Sequence, residues 1–307
     1  MRVAVIGAGG VGGGFGAALA KAGGDVTFLA RGAHLAGMKR DGLKIMSPRG
    51  DTHLVPTQAT DDPSDIGTVD IVLFCVKLWD VETAGERIKP LIGPHTAVIP
   101  LQNGIDAPER LIPILGERAV MGGVAQISAS ITAPGVITQV GTFMRMIFGE
   151  FDGSRSQRAE DFLALCGKAG FDAVLSEQIP TDLWMKFVLL AANSSITALA
   201  RQPIGLLRDD PDVRPVFIAA YQEVIALARA KGVTLPDDAL ARVLEFNRHA
   251  PPTMKASMAL DLERGNRLEL PWLGGKVAEL GRQLGVPTPT HALMYAMLKP
   301  YAMGKTG

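Results

Sequence analysis

Very little in this chain is suited to metal, disulfide or membrane chemistry. Of 307 residues only two are cysteine, Cys75 and Cys166, with no CxxC spacing between them. The five histidines (His34, His53, His95, His249 and His291) are scattered without paired ligand spacing, so no zinc site is expected. So few thiols suit a reducing compartment, and the cytoplasm is the expected location. An excess of one charge is missing too. Thirty-one basic residues balance thirty-one acidic ones, so no net field draws the chain to nucleic acid or to a membrane surface. Any phosphate site has to be local. Beyond the N-terminal region no apolar run exceeds that of residues 187–192, well short of the ~20 needed to span a bilayer. The apolar stretch at the N-terminus is interrupted throughout by glycine. That argues against a secretory leader, whose core is a continuous helix-forming run.

What the chain does have is alternation. A β-branched run at 2–6 leads into glycines. From Val11 onward Phe15, Ala18, Leu19 and Ala22 recur at helical spacing until Gly23-Gly24. Residues 25–29 predict a second strand. Strand, glycine-rich turn, helix and strand within about 30 residues make a βαβ unit. Further strands are predicted at 69–75 and 96–100, with helices at 81–92 and 107–115. Such alternation implies α/β architecture, a Rossmann-type doubly wound parallel sheet covered on both faces. Residues 120–148 are rich in β-branched residues and glycine and predict a few added antiparallel strands. Past residue 177 only helical periodicity remains, as in 213–231, 236–247 and 273–284. The expected organisation is an α/β domain over 1–176 and an all-helical C-terminal domain over 177–307.

Gly7-Ala8-Gly9-Gly10-Val11-Gly12 fits GxGxxG between a strand and a helix. Gly7 permits the tight turn, Gly9 lets backbone approach a pyrophosphate, and Gly12 lets the helix pack on the strand. Free N–H groups at the helix start then favour the phosphates. The alternative is a glycine-rich connection with no ligand. An NAD site places Asp or Glu about 20 residues on. Here no acid stands there. The second strand runs into Ala30-Arg31, and Arg31 lies 19 residues after Gly12. A guanidinium suits a 2′-phosphate, so NADP is the expected cofactor unless Arg31 is a solvated loop residue. Lys77 ends a buried strand, where ligands of such sheets gather. Asn103 follows the strand ending at Pro100, although Asn103-Gly104 is also simply a good turn. Lys186 stands among Leu183, Trp184, Met185, Phe187, Val188 and Leu189. It reads either as a lysine snorkelling from a helix edge or as a desolvated, reactive one.

Together these pieces resemble the ketopantoate reductase (2-dehydropantoate 2-reductase) family over nearly the whole chain. The resemblance rests on the N-terminal GxGxxG, Arg31, Val76-Lys77, Gln102-Asn103-Gly104, Trp184-Met185-Lys186-Phe187, Thr197-Ala198 and Ser257-Met258-Ala259-Leu260-Asp261, with Glu269 beyond. It implies NADPH-dependent reduction of a 2-oxo acid to a 2-hydroxy acid: ketopantoate to pantoate, as in pantothenate biosynthesis, or a related ketone. It implies that Gly7, Ala8, Gly9, Gly10, Val11 and Gly12 hold the pyrophosphate and that Arg31 and Lys77 meet the adenosine end. Asn103 would sit beside nicotinamide and substrate, and Ala129 would line the cofactor. Lys186 would be the proton donor, Ser257 would hold the substrate carboxylate, and Glu269 would complete the site near the cofactor and Lys186. Asp261 looks like a supporting or packing residue. The chemistry agrees, because hydride addition to a ketone leaves an alkoxide that needs a proton. A lysine ammonium beside a carboxylate in a partly desolvated cleft can supply it.

The chain departs from its resemblance at the substrate end. The family carries asparagines four and eight residues after the lysine and Pro-Asn-Gly further on. Here Leu190, Ser194 and Pro203-Ile204-Gly205 stand instead. Leu190 and Ser194 are therefore expected to line a less polar substrate pocket, one that gives little reward to a substrate hydroxyl. Asn193 is one residue short of the second position, about 100° round a helix. Lys255, two before Ser257, reads as a solvated helix-start residue or as extra charge for an anion. Two other functions stay open: a dehydrogenase of a different hydroxy acid or opine-type substrate, and a non-catalytic NADP-binding sensor. A small molecule is the expected partner, and the apolar helical domain leaves a homodimer open.

Overall fold

The computed structural model describes residues 1–305; residues 306 and 307, at the end of the expected helical domain, lie outside the described residues. The chain forms two compact units, Met1–Gln102 with Asp106–Ile179, and Asn103–Ile105 with Pro180–Gly307.

The first unit begins β1 (Arg2–Ile6), α1 (Gly10–Lys21), β2 (Asp25–Leu29), α2 (Gly32–Asp41), β3 (Leu43–Met46), β4 (Thr52–Leu54) and β5 (Ala59–Thr60). It continues with β6 (Ile71–Phe74), α3 (Val81–Arg87), β7 (Ala97–Pro100), α4 (Ala107–Leu115), β8 (Gly122–Ala133), β9 (Val136–Gly149), α5 (Gln157–Ala169) and β10 (Asp172–Leu175). Five strands pair in parallel in the order β5-β2-β1-β6-β7. Strands β6 and β7 are buried along their whole length, as a sheet covered on both faces requires. This is the doubly wound α/β arrangement that the alternation of elements predicts. Residues 120–148 do form an antiparallel pair, β8 with β9. That pair belongs to a second, mixed sheet, in which β9 also pairs with β10 and β3, and β3 with β4.

Helix α1 lies between the two sheets. A β-carbon at Gly16 would come within 2.5 Å of Phe28 and 2.8 Å of Val5, in the first sheet. One at Gly14 would come within 2.9 Å of Ile127, in the second, and one at Gly13 would collide with Ile137. Each glycine costs about 1 kcal/mol of helix propensity against alanine. Burial on both sides offsets that cost, with Phe15 and Leu19 fully enclosed. Phe15 meets Phe171 edge to face at 5.0 Å between ring centroids.

The second unit is all-helical: α6 (Ile179–Ala200), α7 (Arg214–Ala230), α8 (Ala239–His249), α9 (Ser257–Arg264), α10 (Gly274–Leu284) and α11 (Pro289–Leu298). Trp184, Phe187, Phe217, Tyr221 and Leu273 are among the residues of its core. By length and composition α6 could cross a membrane, but 67% of its apolar stretch is buried in the protein, the mark of a core helix. Two buried polar clusters inside this unit are paired. The Tyr221 hydroxyl donates to Asn193 Oδ1 at 2.6 Å. The Glu223 carboxylate accepts the N–H groups of Thr290 and His291 at the start of α11, at 2.6 and 3.0 Å. It is a carboxylate at a helix N-terminus, where negative charge is favoured.

Gly12 is closely packed too, because a β-carbon there would strike the Gly7 carbonyl oxygen, which is backbone and cannot swing away. Gly12→Ala should therefore destabilise the protein by roughly 1–3 kcal/mol, the cost of overpacking. Urea denaturation measures it, and an unchanged midpoint would contradict the packing described.

Candidate active site

Strand β1 runs directly into Gly7, whose φ of +93° is a conformation open to glycine. The Gly7 N–H donates to the Leu29 carbonyl at 3.1 Å, and a β-carbon on Gly7 would lie 2.9 Å from the Cys75 carbonyl oxygen. The turn is thus wedged between the ends of β2 and β6. Helix α1 follows, with Gly9 at its cap and no acidic residue in its first turn, so its N–H groups and positive end carry no anion of their own there. Gly9 tests whether a dinucleotide fits. A β-carbon there would meet nothing within 4 Å. Packing within the protein gives no reason for glycine at this point, whereas a phosphate lying against the backbone does. Gly10 has a different reason, because its β-carbon would run into the Ala129 carbonyl. Strand β8 therefore brings Ala129 to the glycine-rich turn. Ala8 is buried and Val11 half-buried beside it.

Arg31 caps α2 just past β2, and Lys77 lies just past β6. Both strands flank β1, so the two cations bracket the glycine-rich turn. The Arg31 side chain is 84% exposed, with its guanidinium 3.2 Å from the Asp80 carboxylate. The Lys77 ammonium lies 5.6 Å from the Trp79 ring centroid. The Gln102 amide donates to the Phe74 and Val76 carbonyls at 2.9 and 3.2 Å, tying the ends of β6 and β7 together. His34, on α2, accepts the Gly135 N–H at 3.1 Å and fastens α2 to the β8–β9 turn.

The other predicted residues belong to the second unit, Asn103 among them, half-buried. Lys186 sits on α6 beside buried Trp184, Phe187 and Val188. Burial lowers its pKa from the ordinary lysine value to about 8, while the negative charge of Glu269 works upward against it. Glu269 is 6% exposed and directly precedes the single turn Leu270–Trp272. A carboxylate so enclosed is retained only where opposite charge or hydrogen bonds compensate it, and the Lys186 ammonium supplies that charge.

Ser257 is the first residue of α9 and is exposed. Leu190 is half-buried against the helical core. Ser194, expected to line the substrate pocket, is instead fully buried, and its hydroxyl has no hydrogen-bond partner among the described residues. Eight residues along a helix is about 80° of rotation from Lys186, enough to turn Ser194 into the core. Ile204 is fully buried as well, its N–H donating to the Met254 carbonyl at 2.9 Å. Asn193 points inward to Tyr221. Lys255 is paired with Glu263 at 2.5 Å, which accounts for its charge without a substrate.

Two family models match the chain. Ketopantoate reductase PanE/ApbA spans residues 3–153, and Ketopantoate reductase PanE/ApbA C terminal spans residues 178–302. A crystal structure of a PanE/ApbA family ketopantoate reductase from Ralstonia eutropha JMP134 is 30% identical, covers 98% of both chains and aligns with a TM-score of 0.90. This chain belongs to the ketopantoate reductase family. It is therefore an oxidoreductase of that family. The 2-dehydropantoate 2-reductase of Mesorhizobium japonicum is 29% identical over 327 residues, 99% of this chain and 98% of that protein. D-mandelate dehydrogenase, solved with NADH and anilino(oxo)acetate, covers 98% of both chains with a TM-score of 0.89 but is 19% identical. That likeness is one of fold alone.

One group escapes a reading along the sequence. No acid stands at the end of β2, yet Asp80, 49 residues after Arg31, is held against it. Only the strand order, with β2 and β6 on either side of β1, could have revealed that.

The opposing effects on Lys186 lead to a direct test. Glu269→Gln removes the charge that favours the ammonium, so the Lys186 pKa should fall further below about 8. The pH dependence of amine labelling at Lys186, read by mass spectrometry, measures it. A pKa that stays in place or rises would show that Glu269 does not act on this lysine.

Proposed function

We propose that this ketopantoate reductase-family chain uses NADPH to reduce a 2-oxo acid to the 2-hydroxy acid, with Lys186 as proton donor. The observation that carries the proposal is a half-buried lysine whose pKa lies near 8 beside a buried glutamate. Such a lysine is protonated at neutral pH yet surrenders its proton more readily than an ordinary one. The glycine-rich turn, Ala129, Arg31 and Lys77 would hold the cofactor in the first unit. The nicotinamide supplies a hydride for the carbonyl carbon. Lys186 polarises the carbonyl oxygen while it is a ketone and delivers its proton as alkoxide character develops. Glu269 keeps that ammonium charged and oriented. Asn103 would position the reacting groups, and Ser257, at the uncapped start of α9, would receive the substrate carboxylate.

The substrate reading narrows to Leu190. Ser194 and Ile204 are sealed in the core, so neither offers a polar group to a ligand. Leu190 stands about one helical turn from Lys186 and puts a branched alkyl group where a family member has an amide. A 2-oxo acid lacking the ketopantoate hydroxyl is the favoured substrate, since an unpaired buried hydroxyl costs roughly 1–3 kcal/mol. A second reading, a dehydrogenase for a bulkier hydroxy acid on the same frame, draws on the same residue. An exposed apolar stripe of Leu293, Met297 and Tyr301 favours self-association of this chain, which sedimentation of the parent against a Leu293→Glu variant would register.

Binding and kinetic measurements test the proposal. NADPH should bind at least about tenfold more tightly than NADH, and Arg31→Ala should remove roughly 1–3 kcal/mol of NADPH affinity while sparing NADH. Equal affinities in the parent would sink the cofactor assignment. Lys186→Ala should lower turnover about 10²-fold or more with NADPH binding intact. In the parent, reductive turnover should decline as pH rises through about 8, because the donor is then deprotonated. Steady-state kinetics on ketopantoate and on its analogue without the hydroxyl decide the substrate. A strong preference for ketopantoate, or no change toward it in Leu190→Asn, would count against the role of Leu190.

A further inference from the structure

Asp80 occupies an unusual position for its chemistry. It is the cap residue of α3, a place where an aspartate ordinarily accepts from the helix's first N–H groups, yet its side chain makes no capping hydrogen bond. It reaches instead to Arg31 at 3.2 Å. Arg31 follows β2 and Asp80 follows β6, and these strands lie on either side of β1. The ion pair therefore spans the carboxyl end of β1, over the turn at Gly7 and Gly9. Only one guanidinium nitrogen, Nη2, makes the contact, and the arginine is otherwise open to solvent. A phosphate monoester arriving at that guanidinium meets a carboxylate already bound to it, of the same sign as itself. A free ribose hydroxyl meets no such conflict, because a carboxylate accepts from it.

We propose that Asp80 is a specificity-determining residue: it competes with the cofactor's 2′-phosphate for Arg31 and so reduces the preference for NADPH over NADH. This rests on the assignment of Arg31 to the 2′-phosphate given above. The competition is electrostatic and exposed, so it is modest in size and screened by salt. The pair also holds a long, mobile side chain over the site, but one contact to one nitrogen confers little preorganisation against the repulsion it brings.

The test measures binding, not turnover. Fluorescence titrations with NADPH, NADH and adenosine 2′,5′-bisphosphate are compared for the parent, Asp80→Asn, Arg31→Ala and the double variant at low ionic strength. Asp80→Asn should bind NADPH and the bisphosphate roughly three- to fivefold more tightly, the range open to an exposed ion pair, with NADH changed less than about twofold. The gain should vanish in the double variant. It should also shrink in about 1 M salt, where charges are screened within ~3 Å; a gain that persists there would mean a conformational effect and overturn the proposal. Unchanged or weaker NADPH binding by Asp80→Asn, with Arg31→Ala still costly, overturns the role of Asp80 alone. An Arg31→Ala variant that binds NADPH as the parent does overturns the cofactor assignment, and the role of Asp80 with it.

Discussion

Helix α1 has to pack without side chains on two opposite faces, and the placement of the glycine-rich turn follows from that constraint. Its backbone lies against Val5 and Phe28 on one side and against Ile127 and Ile137 on the other. A helix held that closely between two sheets cannot shift along its axis without collisions on both sides. Its N-terminus is fixed at the carboxyl end of β1, with its N–H groups directed out of the fold. The contact between Gly10 and Ala129 shows why the second sheet matters. Strand β8 forms a wall beside the turn, and the hydrogen bond from Gly135 to His34 keeps that wall joined to α2.

The second unit solves a different problem, how to hold charge in a largely apolar helix bundle. Lys186 and Glu269 answer it together. Separated, each would face the full cost of desolvation. Together the carboxylate supports the ammonium, while burial still leaves the lysine with a pKa near 8, close to the working range of an acid catalyst. Elsewhere in the unit Glu223 shows the same economy with hydrogen bonds. Burial pushes its carboxyl up, but hydrogen bonds from His291 and Thr290 hold it below its usual value. That carboxylate anchors the start of α11 and takes no part in the proposed chemistry.

Much of this organisation was legible along the chain, and the reasons are local. GxGxxG after a β-branched run specifies a strand, a tight turn and a close-packed helix because Gly7 and Gly12 answer local requirements of conformation and packing. Strands β1 and β2 and helix α4 could be bounded to the residue from periodicity and punctuation. Short strands such as β3 and β4, and the second sheet they join, left no readable pattern. Three or four residues do not establish a period, and their pairing is with segments far away in sequence.

By itself the sequence determined the α/β-then-helical division, the family, the glycine turn and the residue types that can move a proton or bind a phosphate. These depend on spacing within one turn or one strand. The tertiary structure alone decided which of those groups face one another. It set Asp80 against Arg31 across two parallel strands, and it turned Ser194 and Asn193 into the core while leaving Leu190 half-buried. It also placed Glu269 close enough to shift Lys186. Electrostatic and burial effects act through space, and the distances that set them are fixed only when separate elements pack.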